Sequence, residues 1–287
     1  MSMAGLLTVA PRRAGCRESR PELAEGASSP SGRKATIRQS MSSRYQMAQF
    51  KTYAAKLVRS VALSDFTCHL EFEVNGATPF SFVPGQWISV KAETPEGEEI
   101  TRAYSIASPP ENGSVALCLN RVHEGFMSNH LCSLAVGAEI TFQGPFGDFI
   151  LHPPMRDTIF IATGTGIAPF RSMLHWLLAD PDRHQGRKLW LVFGARTESD
   201  LYYQEEFNRL AAEHGNFHFL PSLSRATPEW RGLRGYVQEH VKEVVGDRQS
   251  EDMHAYICGL DKMVKANREL LKSMGWDRTS IRYEKYD

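Results

Sequence analysis

Apolar residues recur along this chain in two different rhythms. From Phe50 to Leu151 the runs are short and rich in β-branched and aromatic residues: "FKTYAAKLVRSVAL", "FTCHLEFEV", "QWISVKA", "RAYSIAS", "SVALCLNRV" and "AEITFQGPFGDFIL". They often alternate apolar with polar positions, and Gly, Pro and Asn separate them. A period of two puts alternate side chains on one face, so each run predicts a strand. Strands at such short spacing predict an antiparallel barrel or sandwich. The segment "GFMSNHLCSL" is the one helix predicted among them.

After "HPPMRD" the rhythm changes. Continuous apolar runs ("TIFIATG", "RKLWLVFGAR", "FHFLPSLS", "HAYICGL") alternate with segments of helical period ("APFRSMLHWLLAD", "DLYYQEEFNRLAAEH", "GYVQEHVKEVV", "DKMVKANRELLKSMG"), and "IRYEKY" closes as a strand. Strands alternating with helices predict a parallel sheet covered on both faces. The fold class expected is therefore β + α/β: an antiparallel β-barrel, then a Rossmann-like parallel sheet. Boundaries are expected at 48–153 and 154–287, with the join near His152–Arg156. Residues 1–47, rich in Arg, Ser, Pro, Gly and Glu, read as an unstructured leader. Their Arg and Ser also suit an import signal, against which Glu18, Glu22 and Glu25 count.

Composition narrows the function classes. Lys+Arg and Asp+Glu balance at 33 each, so no global field favours nucleic acid or membrane. No apolar run approaches the roughly 18 residues of a spanning helix. Cys16, Cys68, Cys118, Cys132 and Cys258 form neither a C-x-x-C pair nor an iron–sulfur run. Their odd number suggests free thiols in a reducing, cytoplasmic setting. The histidines are scattered, and no metal site is expected.

Two stretches carry candidate chemistry. In "TIFIATGTGIAPFRSML", Thr163, Gly164 and Gly166 lie where a strand enters a helix, with Pro169 suited to the first helical turn. Glycines allow close backbone approach, and a helix N-terminus offers N–H groups to a pyrophosphate. A structural turn is the other reading of those residues. In "RAYSIAS", alternation puts Arg102 and Tyr104 on one face of a strand, able to reach one ligand together.

"GPFG", "SLSR", "RGYVQ", "YICGL" and "YEKY" follow in order. With "RAYSIAS", "GFMSNHL" and "GTGIAP", this ordered set resembles the ferredoxin–NADP+ reductase family over residues 50 to 287. The resemblance implies an FAD-binding barrel and an NADP-binding α/β domain. It implies that Arg102 pairs with the flavin phosphates, since a guanidinium fork matches phosphate oxygens in pairs. Tyr104 would lie flat against the isoalloxazine, Ala103 beside it, and Ser105 would hydrogen-bond near flavin N5. Gly125, Phe126, Met127 and Ser128 open the helix that holds the diphosphate through its N–H groups and the Ser128 hydroxyl. A diphosphate site favours FAD over FMN.

On the nicotinamide side, the resemblance makes Thr163, Gly164, Gly166 and Pro169 the pyrophosphate turn. It gives Ser224, Arg225 and Arg234 to the 2′-phosphate of NADP(H) and Tyr236 to the adenine. Arg196 and Tyr203 are further candidates there. Cys258 and Gly259 admit the nicotinamide, with the thiol beside the hydride path. Glu284 and Tyr286 match the family's last acidic and aromatic positions, Tyr286 covering the flavin's second face. Asp287 follows it, so the aromatic is not terminal as in plant-type members. The expected catalytic set is Ser105, Cys258 and Glu284.

The activity implied is hydride transfer between NADP(H) and FAD, with single electrons passing to or from a separate ferredoxin or flavodoxin. Lys262, Lys265, Arg268 and Lys272 recur at helical spacing, on a face that suits an acidic partner or simply solvent. Two other readings stand beside this one. The first is the NAD(P)H-dependent reductase component of an oxygenase; the second is a flavin-binding electron-transfer subunit that does not itself turn over.

Overall fold

The computed structural model describes residues 51–76, 80–110 and 113–286. The leader 1–47 and Asp287 lie outside the described residues. The first six strands are β1 (Thr52–Ser64), β2 (Thr67–Val74), β3 (Trp87–Glu93), β4 (Glu99–Ser105), β5 (Ser114–Asn120) and β6 (Glu139–Phe146). They pair antiparallel in the order β4-β3-β6-β1-β2-β5. A bridge between Ile106 and Leu117 joins the two edges and closes the barrel. Period-two alternation sends Leu57, Leu70, Phe72, Ile88, Val90, Leu117 and Phe142 inside, all fully buried. Helix α1 (Phe126–Ser133) plugs this core with Met127 and Leu131.

The second sheet holds β7 (Asp157–Thr163), β8 (Leu189–Ala195), β9 (Phe217–Leu223), β10 (Leu233–Arg234), β11 (Met253–Leu260) and β12 (Ile281–Tyr286). All pairs are parallel, in the order β10-β9-β8-β7-β11-β12. The helices are α2 (Ile167–Leu178), α3 (Pro181–His184), α4 (Gln204–Glu213), α5 (Val237–Val245) and α6 (Asp261–Ser273). Alternate residues of the central strands serve opposite layers. Phe160, Leu191 and Phe193 pack with Phe170 and Leu174 of α2 and Phe207 of α4. Ile159, Ile161 and Val192 pack with Val241 of α5 and Val264 of α6. The expected β + α/β architecture is thus present.

Several element ends differ from the pattern's expectation. The run "AEITFQGPFGDFIL" leaves the sheet at Phe146, because Gly144 (φ +149°) and Gly147 (φ +95°) turn the chain. Helix α4 starts only at Gln204, because Tyr203 adopts a left-handed backbone, φ 60° and ψ 22°. The free-thiol expectation holds for buried Cys118 and Cys258 and fails for Cys68 and Cys132, which form a disulfide. Strand β2 and helix α1 meet at the barrel end and bring the two Cα atoms to 6.2 Å, within bridging range. Their separation of 64 residues hid this from any local pattern. No helix among the described residues is long and apolar enough to cross a membrane.

Candidate functional site

Strands β7 and β11 lie side by side, but the chain leaves them in opposite directions across the sheet, to β8 and to β12. A crevice opens beyond the carboxyl ends of strands at such a reversal. Thr163–Gly166 and Cys258–Gly259 form its floor. A Cβ on Gly166 would sit 2.4 Å from the Cys258 carbonyl oxygen and 2.7 Å from Gly259 Cα. One on Gly259, itself at φ +142°, would sit 2.4 Å from Thr163 Oγ1. The Leu260 N–H donates to that hydroxyl at 3.4 Å, tying the two strand ends together. Gly164 to Gly166 form a single 3-10 turn that runs into α2. The start of α2 has no side-chain cap and no acidic residue in its first turn, and Pro169 stands there. The Ile167 N–H turns back to the Gly164 and Thr165 carbonyls and Pro169 has none, which leaves the Ala168 N–H and the positive end of the helix dipole to face an anion.

The three residues expected to be catalytic converge at this crevice. Ser105 Oγ, at the end of β4, lies 2.5 Å from the Tyr286 hydroxyl and donates to Glu284 Oε2 at 3.4 Å. Cys258 is the register partner of Glu284 in β11 and β12, and its thiol hydrogen-bonds Tyr286. Burial pushes the Cys258 thiol well up, and the Glu284 charge pushes further the same way. Burial also raises Glu284, against the bond from Ser105, and holds Tyr286 far above its ordinary value. A fully buried thiol beside a carboxylate stays protonated and is a poor nucleophile. The cluster is therefore a set of hydroxyl, thiol and carboxyl groups suited to hold and orient a ligand.

On β4, Arg102 and Tyr104 stand opposite Val90 and Ile88 of β3 and share a face. Arg102 is exposed, and its guanidinium donates to the Thr101 carbonyl at 2.8 Å. Tyr104 packs against the barrel core, and burial raises its phenol to about 12 despite the Arg102 cation. Ala103 is exposed on the other face. Helix α1 begins at Gly125 with no side-chain cap and no acid in its first turn, so its leading N–H groups suit a phosphate.

Four side chains make other contacts than expected. The Ser128 hydroxyl accepts from Val122 N–H at 3.0 Å and donates to the Gly125 carbonyl at 3.4 Å. It shapes the turn before α1 and leaves anion binding to the backbone. The Met127 side chain points into the barrel, so only its N–H can serve a ligand. Arg234 donates to the carbonyls of Thr227 (2.8 Å), Trp230 (2.9 Å), Pro228 (3.3 Å) and Ala226 (3.4 Å). That guanidinium organises the loop after β9. Arg225 is exposed, as is Arg196 beside it, and is anchored through its own N–H to the Arg196 carbonyl at 2.9 Å. Ser224 is exposed beside it, and Tyr236 presents a ring that is 63% exposed. Tyr203 points away from this rim. Its hydroxyl meets His69 Nδ1 of β2 at 2.9 Å, and its ring packs inside.

Arg171 and Glu206, which hold the end of β4 against α2 and α4, went unnoticed in the pattern. The only local signal is that Arg171 and His175 sit four residues apart, on one face of a helix.

These residues fit a flavin and a dinucleotide. Two helix starts are uncapped, a crevice floor has no room for one methyl group, and a tyrosine and an arginine share a strand face. Comparison with known proteins agrees. Residues 54–150 match the oxidoreductase FAD-binding domain and residues 160–269 the oxidoreductase NAD-binding domain. A ferredoxin–NADP reductase B of Sorangium cellulosum is 39% identical over 249 residues, 84% of this chain and 100% of that protein. The toluate 1,2-dioxygenase electron transfer component of Pseudomonas putida is 30% identical over 240 residues, 82% of this chain and 67% of its own. Among solved structures, a ferredoxin NADP+ reductase from Neisseria gonorrhoeae superposes with a TM-score of 0.72 at 22% identity, covering 82% of this chain and 98% of its own. That similarity shows the fold.

Proposed function

The chain belongs to the ferredoxin–NADP+ reductase family of flavin oxidoreductases, and we propose that it moves electrons between NADP(H) and a separate ferredoxin or flavodoxin. Residues 48–153 are assigned to FAD and residues 154–287 to the nicotinamide cofactor. Bound FAD supplies the redox chemistry, exchanging a hydride with nicotinamide and single electrons with the carrier. The chain's residues bind, orient and exclude water.

Arg102 takes flavin phosphate, and the N–H groups from Phe126 to Ser128 take the diphosphate. Tyr104 offers the ring a stacking face. Ser105 presents a hydroxyl whose bond to Glu284 keeps it oriented. Tyr286 shields that hydroxyl until a nicotinamide displaces it. Thr163, Gly164, Gly166 and Pro169 seat the pyrophosphate of the second cofactor, and Cys258 with Gly259 admits its ring. The single observation that carries the reading is the meeting of Ser105, Glu284, Tyr286 and Cys258 at the mouth of the glycine crevice.

Arg225, with Ser224 and Tyr236, supports a preference for NADPH. The engagement of Arg234 by loop carbonyls favours a second reading, in which a weakly discriminating enzyme also takes NADH, and the likeness to a dioxygenase electron transfer component favours an oxygenase as its acceptor. Purified protein with a flavin spectrum that bleaches on anaerobic NADPH titration is the expected result. Bleaching by NADH at an equal rate supports the second reading, and a colourless protein that binds no added FAD defeats both.

A further inference from the structure

Arg171 sits in the second turn of α2, the helix that leaves the glycine turn, and its side chain is only 14% exposed. Its guanidinium faces three ways. Nη1 donates to the Ala107 carbonyl at 2.9 Å, just beyond Ser105. Nε and Nη2 donate to the two Glu206 oxygens, at 2.8 and 3.1 Å. The Tyr203 ring lies 5.0 Å from the guanidinium carbon. Each partner is itself held. Glu206 also bonds His175 Nε2 at 2.5 Å, and Tyr203 reaches His69 and the Cys118 thiol in the barrel. The flanking amides are fixed as well, Ile106 N–H to the Gln86 carbonyl at 3.0 Å and Ala107 N–H to the Ala116 carbonyl at 2.7 Å.

Stability alone does not call for such a junction. Well-packed apolar side chains in place of a buried ion pair are often neutral or stabilising. A guanidinium fork adds direction, because its donors are planar and fixed relative to one another. Here one donor reaches the segment that carries Ser105, while the helix supplying it begins at the crevice floor.

We propose that Arg171 is a positioning residue, gripping the Ala107 carbonyl from α2 and so setting the place of Ser105 relative to Gly166 and Gly259. The proposal rests on Ser105 and the glycine turn being the two sides of the flavin–nicotinamide site. A group displaced by 1 Å at a reacting centre costs about 100-fold in rate.

The test compares native protein with Arg171→Lys, which keeps the charge and loses the fork, and with Arg171→Met/Glu206→Gln, which leaves neither charge buried alone. Stopped-flow reduction of the flavin-loaded protein at saturating NADPH is expected to slow about 10- to 100-fold in both, with KM changed less than about twofold. Amide hydrogen exchange on the flavin-free protein is expected to quicken at Ile106 and Ala107 and to stay unchanged in β8. Native-like exchange at Ile106 and Ala107, or native-like reduction rates, in the folded double variant overturn the proposal. If NADPH fails to reduce even the native protein, the functional reading falls, and exchange alone decides whether Arg171 holds the segment.

Discussion

The hydroxyls of Ser105 and Tyr286 lie 2.5 Å apart, although 181 residues of chain separate them. One ends a barrel strand and the other ends the last strand of the parallel sheet. Under the proposed function this bond links the flavin side of the site to the nicotinamide side, with the Tyr286 phenol between them.

Removing that ring is expected to open the space to nicotinamide. In Tyr286→Ser, NADP+ binding to the flavin-loaded protein should tighten about tenfold, or about 1.4 kcal/mol. A long-wavelength charge-transfer absorbance should appear on titration. A spectrum identical to that of native protein with NADP+ would show that Tyr286 does not occupy the stacking position.

Under the proposed function Tyr104 supplies the other stacking face. Tyr104→Ala removes a large, half-buried ring and is expected to cost about 3 kcal/mol of flavin binding, roughly a 100-fold rise in Kd. Tyr104→Phe should stay near native. The flavin-to-protein ratio after gel filtration reads the difference, and equal ratios in the two variants would refute the role.

At the rim, Arg225 and Arg234 are expected to behave differently. Arg225→Ala loses a charge-assisted bond, so kcat/KM for NADPH should fall about 10- to 100-fold while NADH changes little. Arg234→Ala should disturb the 226–230 loop and raise KM for both cofactors together. Steady-state rates with an artificial acceptor check both, and loss of NADPH selectivity in Arg234→Ala alone would reverse the assignment.

His254 makes stability depend on pH. Burial lowers its pKa to about 4, aided by the Arg156 and Arg282 cations. The unfolded chain protonates this residue near its ordinary 6.5, whereas the folded chain waits until about 4. Folding therefore loses stability as pH falls from 6.5 towards 4, by about 1–3 kcal/mol. His254→Gln, which cannot take up that proton, should flatten the fall in urea midpoint between pH 7 and pH 5. An unchanged slope in the variant would assign the loss to other groups.

The Cys68–Cys132 disulfide closes a long loop between β2 and α1. Reduction, or Cys132→Ser, is expected to lower unfolding free energy by about 4 kcal/mol. Urea melts with and without a dithiol reductant test this, and identical midpoints would show that the bond adds nothing.

Much of this was legible along the chain. Period-two runs such as "TCHLEFEV" became β2, and the glycines of "GTGIAP" lie where two strand ends almost touch. Local pattern fixes which face a residue shows and where the backbone must bend. It does not tell which distant segment will arrive at that face. The family resemblance gave Arg234 to a phosphate; only the folded loop delivers four carbonyls to it. Cys68 and Cys132 were misjudged for the same reason, and the contacts of Ser128 and Tyr203 were equally out of reach of local pattern. Ser105 and Glu284, which meet across the fold, were singled out through a whole ordered set of motifs, where spacing alone said nothing.

At Gly166 and Gly259 the crevice floor is made by atoms left out. One added methyl group at either position would strike backbone or the Thr163 hydroxyl at 2.4 Å. The tolerance of this site is therefore uneven. Under the proposed function, exchanging cations at its rim, from Ser224 to Tyr236, changes which dinucleotide is favoured, while its floor accepts hydrogen and nothing larger. Anyone re-engineering the cofactor choice of this protein has a wide field at the edge of the crevice and almost none at its base.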